Sequence, residues 1–132
     1  MQWQSSGDSI DMKKLKVFIV NPIGKPRMTQ RDKWKKRKCV ESYYQFKDLI
    51  TWQRGGFIFP DSGAEVIFHI AMPDSWSLLK KREHIDKPHK QTPDIDNLIK
   101  ALFDALMVED KNIWNITATK YWSGEGKIEI YY

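Results

Sequence analysis

Residues 93–107 read PDIDNLIKALFDALM and carry the clearest periodic pattern in the sequence. Their apolar side chains recur three, four, seven, eight and eleven positions after Ile95, a spacing that is typical of a helix with one buried face. The pattern therefore predicts a helix over 93–107 that packs its apolar side on a core. The residues of this apolar side are Ile95, Leu98, Ile99, Leu102, Phe103 and Leu106.

The segments around this helix predict one further helix and four strands. The further helix is indicated over 32–54, where apolar residues three or four apart form a less regular stripe before Gly55 and Gly56. The predicted order is β-α-β-α-β-β, so we expect an α+β fold in which two main helices pack on a small mixed sheet of about four strands. The predicted strands cover 15–20, 64–72, 113–122 and 126–132.

The length of 132 residues fits one domain, which we expect to span residues 1–132. Residues 1–14 are mostly polar and show no period, so they are predicted to form a flexible N-terminal tail. Residues 74–92 form a long polar connection in which only Leu78–Glu83 indicates a helical turn. Connections of this length without a clear element are uncommon in a compact domain and are often functional.

Simple features of the sequence argue against several classes of protein. Cys39 is the single cysteine, which excludes an intramolecular disulfide and a cysteine-based zinc site and fits a reducing compartment. The first residues lack the charged and apolar regions of a signal peptide, and no run of about 18 apolar residues indicates a membrane span. The sequence contains neither a phosphate-cradling glycine loop nor a serine or cysteine triad motif. We therefore expect a cytoplasmic protein that has no membrane partner and binds no small-molecule cofactor.

Acidic residues occur at the start of the predicted helix and after its end. Asp94 and Asp96 stand at its first turn, Lys100 lies one turn after Asp96, and Asp110 comes just before a predicted strand. If the carboxylates converge, two of them about 4 Å apart repel by roughly 4 kcal/mol at an effective dielectric of about 20, so the group needs either a cation or protonation of a carboxylate. Oxygen ligands of this kind suit Mg²⁺ or Mn²⁺. Lys100 would add a positive charge beside a phosphoryl transition state.

The same residues also fit ordinary structural roles. Asp94 could be a helix cap, Asp96 and Lys100 could form a surface ion pair of little energetic weight, and Asp110 could be a turn residue. Two aspartates separated by one residue are by themselves a weak signal. The residue pattern alone therefore leaves both interpretations open.

Basic residues are concentrated in two clusters. Between Lys25 and Lys38 there are eight basic residues and one acidic residue, a local charge of +7 that exceeds the +5 of the whole chain. The second cluster, within Lys80–Lys90, comes directly before Asp94. Two basic clusters beside an acidic site indicate binding to a phosphate backbone, although a solvated surface would also explain each cluster alone. The candidate DNA-binding residues are Lys25, Arg27, Arg31, Lys33, Lys35, Lys36, Lys80, Lys81, Arg82, Lys87 and Lys90.

The run over residues 87–106, KPHKQTPDIDNLIKALFDAL, resembles the signature of the RusA family of Holliday-junction resolvases. The family pattern is a basic loop, then Asp-x-Asp-Asn-Leu-x-Lys, then Asp-Ala-Leu, then a late acid before a strand. Glu109-Asp110 supplies the late acid here. Gly24–Arg27 with its basic continuation, and Met72–Asp74, resemble members carried by phages and prophages. The resemblance covers the chain from about residue 15 to its end.

The resemblance implies a RusA-like fold and a homodimeric, Mg²⁺-dependent endodeoxyribonuclease. Such an enzyme resolves four-way (Holliday) junctions by paired symmetric nicks in DNA recombination and repair. Asp110 is favoured over Glu109 as the late acid because it directly precedes the entry to the next strand. Asp104 also matches a family position, without an implied role. The residues implied by position are Asp94, Asp96 and Asp110 as metal ligands and Lys100 as a catalytic lysine.

Two further interpretations compete with the junction resolvase. A non-catalytic basic DNA-binding module that kept the fold would bind four-way junctions without Mg²⁺-dependent nicking. A basic protein-interaction module would show no salt-dependent affinity for DNA, whereas about six phosphate contacts predict a log–log salt slope of about −5.

Overall fold

The structure, a computed structural model, describes residues 13–27 and 38–132. Within them the chain forms a four-stranded mixed sheet with helices, so the predicted α+β fold and its order of elements are confirmed. The strands are β1 (Leu15–Phe18), β2 (Ala64–Ala71), β3 (Ile116–Ser123) and β4 (Lys127–Tyr131). The helices are α1 (Lys38–Arg54), α2 (Leu78–His84) and α3 (Ile95–Leu106), followed by a 3₁₀ turn at Asp110–Asn112.

Two of the predicted segments fall partly outside the described residues. These parts are residues 32–37 of the first predicted helix and residues 1–12 of the predicted tail. Lys14, the last residue of that tail, exchanges two backbone hydrogen bonds with Tyr132, at 2.7 and 2.9 Å. The described end of the tail therefore extends the pairing between β1 and β4.

The sheet has the order β1-β4-β2-β3, with β2 and β3 parallel and the other two pairs antiparallel. Val66 of β2 pairs with Ile130 of β4 on one side and with Ala118 of β3 on the other. Parallel neighbours cannot be joined by a tight turn, so the chain between β2 and β3 must cross back along the sheet. That crossover contains α2 and α3, and with them most of the candidate site residues.

The core lies between one face of the sheet and the helices α1 and α3. Residues of β2 alternate between buried and half-exposed positions, as expected for a strand with one face on a core. Leu98 and Leu102 of α3, and Ile50 of α1, are fully buried. Burial of each such side chain contributes roughly 1.5–3 kcal/mol. The apolar face of α3 therefore fixes the helix on the sheet and leaves its polar side outside the core.

Local hydrogen bonds explain why β1 ends earlier, and β3 begins later, than the sequence predicts. β1 ends at Phe18 because the side chain of Gln53 bonds both backbone groups of the following residue, at 2.7 and 3.0 Å. β3 begins only at Ile116 because the chain before it forms the 3₁₀ turn, in which the N–H of Ile113 donates to the carbonyl of Asp110 at 3.1 Å.

The polar connection 74–92 is more ordered than its composition indicates. It contains α2, which Ser77 caps: the hydroxyl of Ser77 accepts a hydrogen bond from the N–H of Lys80 at 3.2 Å. Further along, Pro88 forms an isolated bridge with Tyr121 of β3. The connection therefore follows a defined path to the start of α3. No helix among the described residues is both long enough and apolar enough to cross a membrane.

Candidate active site

A glycine and an asparagine fix the loop after β1 on the start of α3. The backbone of Gly24 lies against the Asn97 side chain, and a Cβ atom at this position would overlap Asn97 Nδ2 and crowd Pro93 Cβ at 3.1 Å. Asn97 Nδ2 also donates a hydrogen bond to the carbonyl of Lys25 at 3.2 Å. Glycine is needed for this close approach. The contact brings the first basic residues of the loop beside the helix that carries the candidate acidic residues.

An open cleft of about 510 Å³ lies where this loop meets α3. Asp94 lines it together with Lys25, Arg27 and Asn97, and Cys39 of α1 forms part of its wall. The fold therefore brings part of the first basic cluster into the same cleft as one of the predicted metal ligands.

A second cavity, of about 170 Å³, is lined by Lys25, Lys100, Asp104 and Asp110, among others. Asp110 reaches α3 because the helix ends at Met107 in the left-handed conformation (φ 59°) and the chain then changes direction. Lys25 lines both cavities. Lys25 of the basic loop therefore lines a cavity with Asp94, at the start of α3, and another cavity with Lys100, Asp104 and Asp110.

Asp94 occupies the N-cap position of α3, but its side chain does not cap the helix. Its backbone is extended there (φ −69°, ψ 152°), and its carboxylate makes no capping hydrogen bond. An aspartate in this position ordinarily accepts a hydrogen bond from a first-turn amide. The carboxylate oxygens of Asp94 are therefore not used by the helix, although the residue lines the cleft.

Asp96 and Lys100 are exposed on the first two turns of α3. The ion pairs found among the described residues do not join them, and Asp96 lines neither of the two cavities. Within the described part of the chain, no three histidine, cysteine, aspartate or glutamate side chains are grouped closely enough to hold a metal ion. The structure places Asp94 in the cleft and Asp110 in the second cavity, so the three predicted ligands do not form a preassembled cage.

The available donors nevertheless suit a hard divalent cation. Mg²⁺ prefers oxygen ligands, and in phosphoryl-transfer sites it is usually held by one or two carboxylates together with waters and substrate phosphates. Asp94, Asp96 and Asp110 supply carboxylates of this kind. Lys25 lines both cavities, and Arg27 lines the cleft, where they can balance the charge of a phosphate. These carboxylates are therefore of the type that Mg²⁺ prefers, although Asp94 and Asp110 line different cavities and Asp96 lines neither.

Asp104 belongs to a network that links α3 to α1 and to the basic loop. Tyr43 donates a hydrogen bond to Asp104 Oδ2, and the Nζ atoms of Lys47 and Lys25 lie 3.3 and 4.0 Å from the same oxygen. Burial alone would raise the pKa of the Asp104 carboxyl, but the hydrogen bond from Tyr43 and the two lysines outweigh burial and hold the pKa below its usual value. Burial, followed by the bond to Asp104, raises the pKa of Tyr43. Asp104 therefore acts as an anchor for Lys25, with one oxygen already engaged.

The second basic cluster lies on α2 and on the segment that leads to Asp94. Lys80 Nζ lies 4.3 Å from the ring centroid of Trp76, so its charge is held over an aromatic face. The members of this cluster among the DNA-binding candidates are Lys80, Lys81, Arg82, Lys87 and Lys90. The candidates of the first cluster that lie outside the described residues are Arg31, Lys33, Lys35 and Lys36.

Comparison with known families gives the class of the protein. A family model described as "Endodeoxyribonuclease RusA" matches residues 20–131, a range that includes the whole of α1 and α3 and the residues of both cavities. The match defines the class as a family of nucleases that cleave DNA internally. The chain belongs to the RusA endodeoxyribonuclease family, and the resemblance carried by residues 87–106 is confirmed. No curated protein and no solved structure gives a significant match.

Proposed function

We propose that this protein is a Mg²⁺-dependent endonuclease that resolves four-way DNA junctions by paired symmetric nicks. The observation that carries the proposal is the position of Lys25, which lines both the cleft of Asp94 and the cavity of Lys100 and Asp110. Membership of a family of DNA endonucleases supports DNA as the substrate. A basic loop held against acidic residues suits a site that binds and cleaves a phosphodiester.

The proposed roles follow from the motif over residues 87–106, of which Asp94 and Lys100, like the late acid Asp110, line the two cavities, whereas Asp96 is exposed on α3. Asp94, Asp96 and Asp110 would hold Mg²⁺ or Mn²⁺, which would activate water and neutralise the charge that develops on the phosphate. Lys100 lies one helical turn after Asp96, so its ammonium is placed to stabilise the same developing charge. Lys25 binds the phosphate from the opposing loop.

The choice of Asp110 over Glu109 as the third ligand is supported by where the two side chains lie. Asp110 lines the cavity that contains Lys100. Glu109 lines a different cavity, together with Ile58 and Met107. Because the backbone turns here, the side chains of Glu109 and Asp110 point in different directions, and only Asp110 lines the cavity of Lys100.

We expect the protein to recognise a junction by the shape of the DNA and through contacts with its phosphate backbone. The basic residues of the loop, of α2 and of the segment before α3 are suited to phosphates, whereas base edges would need other contacts. A homodimer would place two equivalent sites on one junction, and its two-fold symmetry would match that of the DNA. Each site would then nick one strand.

Cleavage of a synthetic four-way junction, with Mg²⁺ and with EDTA, tests the proposal. We expect Asp96→Asn to slow cleavage by roughly 100-fold or more, the scale of removing a group that acts in the transition state, while junction binding stays within a few-fold of wild type. Asp48, exposed on α1 and lining neither cavity, provides the control Asp48→Asn, which should cleave normally. Full cleavage by Asp96→Asn would exclude the proposed site.

One observation favours a second candidate function, a DNA-binding module without catalysis. The described residues contain no group of three or more metal-ligating side chains, and a protein that only binds DNA needs none. This candidate predicts salt-dependent binding of the junction and no nicking at any concentration of Mg²⁺ or Mn²⁺. The cleavage assay of the wild-type protein therefore separates the two functions, and an affinity that does not depend on salt would contradict both.

A further inference from the structure

The connection before α3 is attached along the outer edge of β3 by its backbone. The N–H of Asp86 donates to the carbonyl of Trp122 at 2.9 Å, and the N–H of Trp122 donates to the carbonyl of Lys87 at 3.0 Å. The N–H of His89 donates to the carbonyl of Lys120 at 3.1 Å. β3 is the last strand in the sheet order, so these bonds use backbone groups that an edge strand leaves unpaired. These bonds therefore hold residues 86–89 of the connection against the edge of the sheet.

His89 adds a packed ring to this attachment. Its side chain is 4% exposed, and its ring centroid lies 4.2 Å from that of Trp122. Burial, followed by the charge of Lys120, lowers the pKa of His89, so the ring is neutral at neutral pH. The residue therefore contributes packing between the connection and β3 and carries no charge toward DNA.

Lys120 makes the next contact along the connection with its side chain. Its Nζ donates hydrogen bonds to the carbonyl of Gln91 at 2.6 Å and to the carbonyl of Pro93 at 2.8 Å. Hydrogen bonds from an ammonium are shorter and stronger than those between neutral groups. One side chain from the sheet thus holds two peptide groups of the segment that ends at Asp94.

We propose that Lys120 is a positioning residue of the active site. By holding Gln91–Pro93 it determines where α3 begins, and therefore where Asp94 stands in relation to the Gly24–Arg27 loop across the cleft. Two residues of the held segment line that cleft, so a shift of the segment would change the wall of the site directly. The inference rests on the proposed nuclease function and names a residue that no motif indicates.

Lys127 on β4 provides a matched control, because both lysines pair with residues of β2, the strand between β3 and β4. Lys120 pairs with Phe68, which is buried on the helix side of the sheet, whereas Lys127 pairs with His69, which points to the other side. Lys127 Nζ lies 3.8 Å from Glu129 and does not contact the connection. Replacement of either lysine by methionine removes the same charge and keeps a side chain of similar length.

The experiment compares wild type, Lys120→Met and Lys127→Met by hydrogen exchange and by cleavage. Exchange of the amides in peptides covering residues 90–97 is measured without DNA and metal, and we expect it to be about 10-fold faster in Lys120→Met only. Junction cleavage by Lys120→Met should be roughly 10- to 100-fold slower, the range for residues that orient metal ligands, and should need more Mg²⁺ to reach half its maximum. Urea midpoints of both variants show whether global stability has changed.

Each outcome decides the proposal. Faster exchange confined to residues 90–97, with a raised Mg²⁺ requirement in Lys120→Met, supports it. Unchanged exchange in that segment, an equal change in Lys127→Met, or normal cleavage at every Mg²⁺ concentration despite faster local exchange would overturn it. A wild-type protein that binds junctions but does not nick them contradicts the proposed function, and the exchange result still shows whether Lys120 holds the segment.

Discussion

Helix α3 and the connection before it form two sides of one site, but different forces hold them. Leu98 and Leu102 of α3 are inaccessible to solvent and lie on a regular apolar stripe. Helix α2 of the connection has no buried residue, and the chain after it is attached by backbone hydrogen bonds, by Lys120 and by the packed ring of His89. Hydrophobic burial thus fixes the helix that carries the acidic residues, whereas mainly directional polar contacts fix the loop that leads into it.

Truncating one leucine in each region tests this contrast and should give the largest change in the free energy of unfolding. Leu102→Ala deletes a fully buried side chain and should lower the free energy of unfolding by about 2–5 kcal/mol. Leu79→Ala on α2 truncates a side chain that is 67% exposed and should cost less than about 0.5 kcal/mol. Urea unfolding measures both. Equal losses would show that burial holds α2 as well and would remove the contrast.

A smaller effect is expected at the contact between the basic loop and α3. Gly24→Ala places a methyl group against Asn97, so the Asn97 side chain or the loop must shift, at a cost of roughly 1–3 kcal/mol. Because Asn97 holds the carbonyl of Lys25, either shift should displace Lys25, and junction cleavage should fall as well. Gly124→Ala is the control, since a Cβ at Gly124 meets nothing within 4 Å. Wild-type stability and cleavage in Gly24→Ala would mean that this contact does not hold the loop.

The smallest expected effect concerns the ionised anchor at Asp104. Its pKa in the folded protein lies below the usual 3.8, so its contribution is fully present above that pH and is lost as the pH falls through the folded value. Asp104→Asn should lower the free energy of unfolding at pH 7 by about 1 kcal/mol, allowing for partial exposure. The difference from wild type should shrink as urea unfolding is followed below about pH 4. A difference that stays constant down to pH 3 would contradict this role.

The helices and strands that bury one apolar face on the core could be predicted from the sequence. The apolar period over 93–107 predicts a helix that the structure shows at Ile95–Leu106, and the β-rich run over 64–72 corresponds to Ala64–Ala71. In both cases the pattern reflects which face lies on the core. The end of β1 could not be predicted, because it depends on a side-chain contact from Gln53, 34 positions away.

For the candidate site, the sequence could predict the types of residue but not the contacts that arrange them. The motif and the late acid indicate Asp94, Asp96, Lys100 and Asp110. The structure brings Asp94, Lys100 and Asp110 each to a cavity that Lys25 also lines, whereas Asp96 lines neither cavity. The network of Asp104 was not predictable, since its partner Tyr43 is 61 positions away. Lys120 was missed for another reason: its acceptors are carbonyls, which every residue has, so the contact leaves no trace in composition or spacing.

Cys39 offers one point at which the wall of the cleft can be labelled. It is the single thiol in the chain, it is exposed, and it forms part of the wall of the cleft that holds Asp94. A thiol-reactive fluorophore would therefore attach at one known point without the replacement of any residue. Under the proposed function, its emission would change when DNA enters the cleft, both with Mg²⁺ and with EDTA.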